Sequence, residues 1–125
     1  MKMPINSGNV IHMMAVFSER EQVFKTEGLT IGEFDPSVDG FYRNVQTFSF
    51  GVKKRKAIQI NISSDAPVDV AVANEKGASV CYKQAVKEGT IGPIMTGGNK
   101  EMGIIVGVYK GDRATLSIDI WMERQ

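Results

Sequence analysis

Apolar residues recur at every second position in several separate stretches, and that period decides what this chain can fold into. Ile58, Ile60 and Ile62 alternate with Gln59 and Asn61. Val68, Val70 and Val72 alternate with Asp69 and Ala71, and Leu116, Ile118 and Ile120 with Ser117 and Asp119. Successive side chains of a strand point to opposite faces, so each run buries one set and leaves the other to water. Around Ile104, Val106 and Val108 the intervening residues are Ile105, Gly107 and Tyr109. Both faces there are fairly apolar, which predicts a central strand. Residues 47–50 and 80–82 read as strands less cleanly.

Turn residues separate these runs at short intervals: Asp35-Pro36, Asp39-Gly40, residues 53–56, 63–67, 74–77, 96–99 and 110–112. Thirteen glycines and four prolines suit many short strands. No window of eleven residues carries a helical stripe. Residues 19–22 are compatible with one turn of helix, which Gly28 would end. The expected fold class is all-β, an antiparallel β-sandwich of eight or nine strands forming one domain over residues 1–125. Its expected core comprises Ile11, Met13, Phe48, Phe50, Ile58, Ile60, Ile62, Val68, Val70, Val72, Val80, Ile104, Val106, Val108, Leu116, Ile118 and Ile120.

With 42% hydrophobic and 23% charged residues the chain has the composition of a folded globular domain rather than a disordered one. Fifteen basic against fourteen acidic residues leave a formal net charge of +1. No overall field draws it to nucleic acid or an anionic membrane. No run approaches the length of a membrane span. The most apolar early run, residues 10–17, is interrupted by His12 and preceded by Pro4, Asn6 and Gly8. It reads as a strand rather than a signal peptide. The expected location is cytoplasmic, with export open if a leader was trimmed.

The stretch FSFGV at 48–52, then AIQINISSDAPVDV at 57–70 and NEKG at 74–77, resembles the middle of pre-peptidase C-terminal domains and of the GOLD-type domains of secretory cargo proteins. GIIVGVY at 103–109, KGD at 110–112 and ATLSI at 114–118 are similar to their closing hairpin. The resemblance spans residues 41–121. It implies a jelly-roll-like sandwich and binding or accessory roles rather than catalysis. Those domains sit in larger exported or membrane-anchored chains, whereas no leader, anchor or second domain is expected here.

Several constellations admit a functional and a plain reading. The glycine-rich stretch 89–100 lacks the spacing and the helix of a P-loop, though the amides of Gly97 and Gly98 suit an anion nest. Asp35 and Asp39 precede Gly40 as in a calcium loop, but Pro36 and Val38 fit an EF-hand poorly; capping of turns is the alternative. Sandwich domains can bind calcium through scattered loop carboxylates, which keeps Asp35, Asp39, Asp65 and Asp69 open as ligands, while the leading expectation is no metal or other cofactor. Lys53, Lys54, Arg55 and Lys56 could touch phosphates, yet no aromatic interleaves with them, and a solvated turn or guarded edge accounts for them.

Phe41, Tyr42, Tyr82, Tyr109 and Trp121 offer a sugar-stacking platform if exposed, and core if not. The seven methionines, Met13, Met14 and Met95 among them, read as core filler or as an adaptable contact patch. The lone Cys81 precludes an internal disulfide and reads as a buried small hydrophobe; a reactive thiol, helped by Lys83, is the sharper alternative. Its one candidate base, His12, lies far off in the chain.

The expectation is therefore a non-enzymatic binding or assembly module, a homo-oligomer or partner of another protein, acting through loops or sheet edges. A small-ligand domain for carbohydrate or calcium is the alternative, using Asp35, Asp39, Tyr42, Thr96, Gly97, Gly98, Asn99 and Lys100. A weak enzyme built on Cys81 is the third.

Overall fold

The structure, a computed structural model, describes residues 20–32, 45–108 and 112–124. They form six strands and no helix: β1 Glu21–Ile31, β2 Val45–Gly51, β3 Lys56–Ala73, β4 Ser79–Met95, β5 Glu101–Gly107 and β6 Ala114–Arg124. All pairings are antiparallel, and the sheet curls into a half-barrel. The expected all-β, antiparallel class is correct.

The chain reaches this shape through one long strand. β3 pairs with β4 along one edge, from Ala57↔Met95 to Ala73↔Ser79. Its other edge is divided. Residues 56–64 pair with β6 and residues 69–73 with β5. β6 then pairs with β1, and β5 with β2, so two wings leave the same edge of β3. The first wing holds β1, β6 and the start of β3; the second holds β2, β5 and its end. The wings curve toward one another, and Phe24 of β1 lies 5.1 Å from Phe48 and 6.2 Å from Phe50 of β2, ring centre to ring centre.

The alternating residues line the concave side. Ile58, Ile60, Ile62, Val68, Val70, Val72, Ile104, Val106, Leu116, Ile118 and Ile120 are all buried, in one continuous cluster. Phe50 is buried with them, while Phe48 and Val108 pack on the cluster's margin. Val80 is the correction: it is 47% exposed. Val72 faces Cys81 and Ala73 faces Ser79, so Val80 is the extra residue of a bulge and its side chain leaves the ladder. Ile11 and Met13 lie outside the described residues.

Three further sequence expectations change. Residues 63–67 are not a turn between two strands; β3 runs through them, with Ser64 to Pro67 bulged opposite Lys87. The Ser64 hydroxyl donates to the Ala66 carbonyl at 2.6 Å, so a turn-like sequence serves as a kink within a strand. Residues 89–95 belong to β4, leaving only 96–100 as loop. Residues 21–31 form a strand rather than a turn of helix. Gly32, just beyond β1, has φ +86°, and a Cβ there would sit 2.2 Å from the Asp112 carbonyl oxygen. Only glycine lets β1 leave the sheet against the segment that enters β6.

Candidate functional site

The loop expected to hold a ligand is occupied by the fold. Thr96 is fully buried. Its hydroxyl donates to the Lys53 carbonyl at 2.7 Å and accepts the Lys56 amide at 2.8 Å. Its backbone amide donates to the Lys56 carbonyl, and the Arg55 amide to the Gly97 carbonyl. The Asn99 side chain donates to the Thr96 carbonyl at 2.8 Å and accepts the Glu75 amide at 3.2 Å, while Glu75 accepts the Lys100 amide at 3.0 Å. Thr96 and Asn99 thus clamp the 53–56 turn and the 74–77 turn to one another, and Gly97 and Gly98 span the crossing. Asp35, Asp39 and Tyr42 lie outside the described residues.

The basic run forms that same turn. Arg55 has φ +59°, and Lys53 pairs with Glu21 at 3.3 Å. Lys54 and Arg55 are exposed. Cys81 faces Val72 across the β3–β4 ladder, half-buried against the core cluster. Asp65 and Asp69 are taken up by the kink of β3: Asp65 accepts the Thr115 amide at 2.8 Å and Asp69 the Ala85 amide at 3.0 Å. Beside them a cleft of about 400 Å³ opens between the wings, lined by Pro67, Asp69, Ala85, Val108, Asp112 and Arg113. Among the described residues no three metal-ligating side chains converge.

The convex faces of the two wings are where free surface chemistry gathers, and they differ. On the first wing the outward row of β6 is Thr115, Ser117, Asp119 and Trp121, all half-buried. Register sets Trp121 beside Gln59 of β3 and Gln22 of β1, Asp119 beside Asn61 and Lys25, and Ser117 beside Ser63. Asp119 accepts the Gln22 amide at 2.6 Å through Oδ1 and the Trp121 indole N–H at 2.9 Å through Oδ2. Asn61 Oδ1 accepts the Thr90 hydroxyl at 2.9 Å. Arg20 stacks 4.8 Å above the Trp121 ring and reaches Glu123 at 3.6 Å. A depression of about 250 Å³ lies among Lys25, Glu27, Asn61, Ser63, Ser117 and Asp119. Trp121 is therefore on the convex side and not in the core. The sequence carried the signal for this, since position 121 continues the outward phase of Ser117 and Asp119 with an amphipathic residue.

On the second wing the convex row is small and apolar. Ile105 of β5 sits between Ala71 of β3 and Thr47 of β2, and Gly103 between Ala73 and Ser49. Tyr82, beside Ala71, is 54% exposed, and Val45, beside Gly107, is 43% exposed.

No family model matches the chain, and none of the curated proteins matches it.

Proposed function

We propose that this protein is a non-catalytic binding and assembly module of jelly-roll-like sandwich type that associates with a second copy of itself through β2. The observation that carries this reading is the contrast among the three strands that pair on one side only among the described residues. β1 carries Glu21, Lys25 and Glu27 and breaks register twice. β4 breaks register four times and carries Lys83, Lys87 and Pro93. Charges, proline and bulges are the devices by which natural edges avoid pairing. β2, VQTFSFG, has none of them: no charge, no proline, and seven consecutive residues in unbroken register with β5.

A two-fold axis through Phe48 makes this strand self-complementary. Thr47 of one copy would face Ser49 of the other on the convex side, a favourable hydroxyl pair, with Phe48 against Phe48 on the concave side. Pairing along this edge extends the sheet and leaves the convex surface of Ile105, Ala71 and Tyr82 open. The resemblance to binding and accessory domains agrees with this reading.

Light scattering on a size-exclusion column, across protein concentrations, is expected to give twice the mass of the 13.7 kDa chain. Thr47→Lys combined with Ser49→Lys should return the mass to one chain with secondary structure retained, because both side chains are exposed. A wild-type monomer throughout overturns the reading.

A further inference from the structure

We infer that the convex face of the first wing binds a neutral polyhydroxylated ligand, a carbohydrate, between Asn61 and Asp119 with Trp121 beside them. This is independent of association through β2, which uses the other wing. The inference starts from what this face lacks. A merely solvated sheet face is cheaply made of lysine, glutamate and threonine, whose long chains stay mobile. Here the middle of the face is Gln59, Asn61, Ser63, Ser117 and Asp119, and the long charged residues Lys25, Glu27 and Glu88 stand at its margin.

The central polar groups are also oriented in advance. The Thr90 hydroxyl holds Asn61 Oδ1, which turns the amide Nδ2 away from Thr90 as a donor. Gln22 and the Trp121 indole, cross-strand partners themselves, each hold one oxygen of Asp119. An ionised carboxylate has about four acceptor sites, so each oxygen keeps one for a ligand. Asn61 and Asp119 are direct partners in the β3–β6 ladder. Cross-strand partners have Cβ atoms about 4.5–5.5 Å apart. A held donor and a held acceptor on side chains so placed can address two neighbouring hydroxyls of a sugar ring, since each hydroxyl both donates and accepts.

The depression at Ser63 and Ser117 adds two more hydroxyls along the same line. Trp121, two residues from Asp119 on the same row, supplies a flat apolar surface for the C–H face of a pyranose. Arg20 now covers part of that ring, yet it is exposed and, among the described residues, is held by the ring and by Glu123. Displacing such a stack costs about 0.5–1 kcal/mol. A phosphate ligand is disfavoured by the central carboxylate. An apolar protein surface would bury the Asn61 Nδ2 donor and the remaining acceptor positions of Asp119 without partners, and a buried unsatisfied group costs about 1–3 kcal/mol.

The test uses the full chain, ¹⁵N-labelled, titrated with cello-, xylo-, malto- and chito-oligosaccharides to about 10 mM, a range that detects millimolar affinity. At least one probe is expected to shift the Asn61 side-chain amide, the Trp121 indole and the Ser117 backbone signals together, leaving Thr47 and Ile105 unmoved. Asn61→Asp keeps the size and removes the donor, and should weaken binding at least about tenfold. Trp121→Phe, which keeps a ring, should weaken it less than Trp121→Ala. Absence of shifts at these residues with every probe overturns the inference, as does binding that Asn61→Asp leaves unchanged. Loss of binding in the β2 double-lysine variant would also overturn it, because it would place the sugar on the other wing.

Discussion

The two wings share one interior and differ on their outer faces, and the difference separates what folds the protein from what it presents. Both wings feed the same cluster: Ile58, Ile60 and Ile118 from one, Val70, Ile104 and Val106 from the other, all at 1% exposure or less. Outward, the first wing carries short polar side chains tied to one another by Gln22, Asp119, Trp121, Asn61 and Thr90. The second carries Ala71, Gly103, Ile105 and Tyr82, with few polar groups to tie. A surface already knitted by hydrogen bonds is shaped to exchange further ones with a ligand. A surface of small apolar residues gains chiefly by being covered.

The largest effect expected is the one the wings have in common. Ile60→Ala in the first wing and Ile104→Ala in the second each delete a fully buried side chain, and each should destabilise by about 2–5 kcal/mol. Because the interior is continuous, both variants should unfold in a single transition, with intrinsic fluorescence of Trp121 and far-ultraviolet dichroism coinciding. Separate transitions for the two variants would mean that the wings are independent units, and the comparison of their outer faces would become a comparison of two modules.

What could be read in the sequence follows the same inside–outside division. β3, β5 and β6 are flanked on both edges, and their alternation is clean because each inward position has neighbours to pack against. The branched aliphatic residues buried in these strands were legible, as was the interior place of β5 from its two apolar faces, whereas Ala57, Met102, Ala114 and Met122, also buried, were not among the expected core. β1 and β4 were not. β1 breaks register between Gln22 and Phe24 and again between Thr26 and Leu29, and each extra residue reverses the phase of those after it. β4 is exposed along most of its length, so alternation has little to report; its glycines at 89 and 92 imitate a loop, while Gly89 pairs with Ile62 in the ladder and Gly92, with φ +121°, serves a bulge between Ile91 and Ile94. The loop at 96–100 is ambiguous in sequence for a related reason. Thr, Gly and Asn suit anion binding and tight crossings equally, and only the partners of Thr96 and Asn99 separate the two uses.

Thr96 gives the next effect. Thr96→Val keeps the shape and removes the hydroxyl that bridges the Lys53 carbonyl and the Lys56 amide, leaving buried backbone groups without that partner. The expected loss is about 1–3 kcal/mol, read by urea denaturation, with Thr96→Ser close to wild type. Neither variant should alter the Asn61 and Trp121 signals in a sugar titration, since the clamp lies at the end of the half-barrel and not on the first wing's convex face. A Thr96→Val variant of unchanged stability would show that the hydroxyl is dispensable to the fold and would return the 96–100 loop to candidacy as a site.

The smallest effect bears most directly on the second wing. Gly103 faces outward between Ser49 and Ala73, and its backbone is not in the left-handed region. A Cβ there would meet the Phe48 carbonyl oxygen at 3.4 Å, an ordinary contact. Gly92 is the opposite case, with φ +121° and only 2.7 Å from such a Cβ to the Ile58 carbonyl oxygen. Glycine within a strand costs about 0.5–1 kcal/mol relative to alanine, and nothing among the described residues requires it at position 103. Gly103→Ala should therefore leave the single chain as stable as before or more stable, by at most about 1 kcal/mol. Because pairing along the β2 edge leaves that face open, the added methyl should leave the dimer seen by light scattering unchanged, and the Thr47→Lys, Ser49→Lys monomer, given the same substitution, should show no loss of stability; a weakened dimer would mean that the second copy packs across Ile105 and Ala71 instead. A loss in that monomer would mean that the convex face of the second wing already has a partner within its own chain, and the two faces would then differ because one is covered and the other is not.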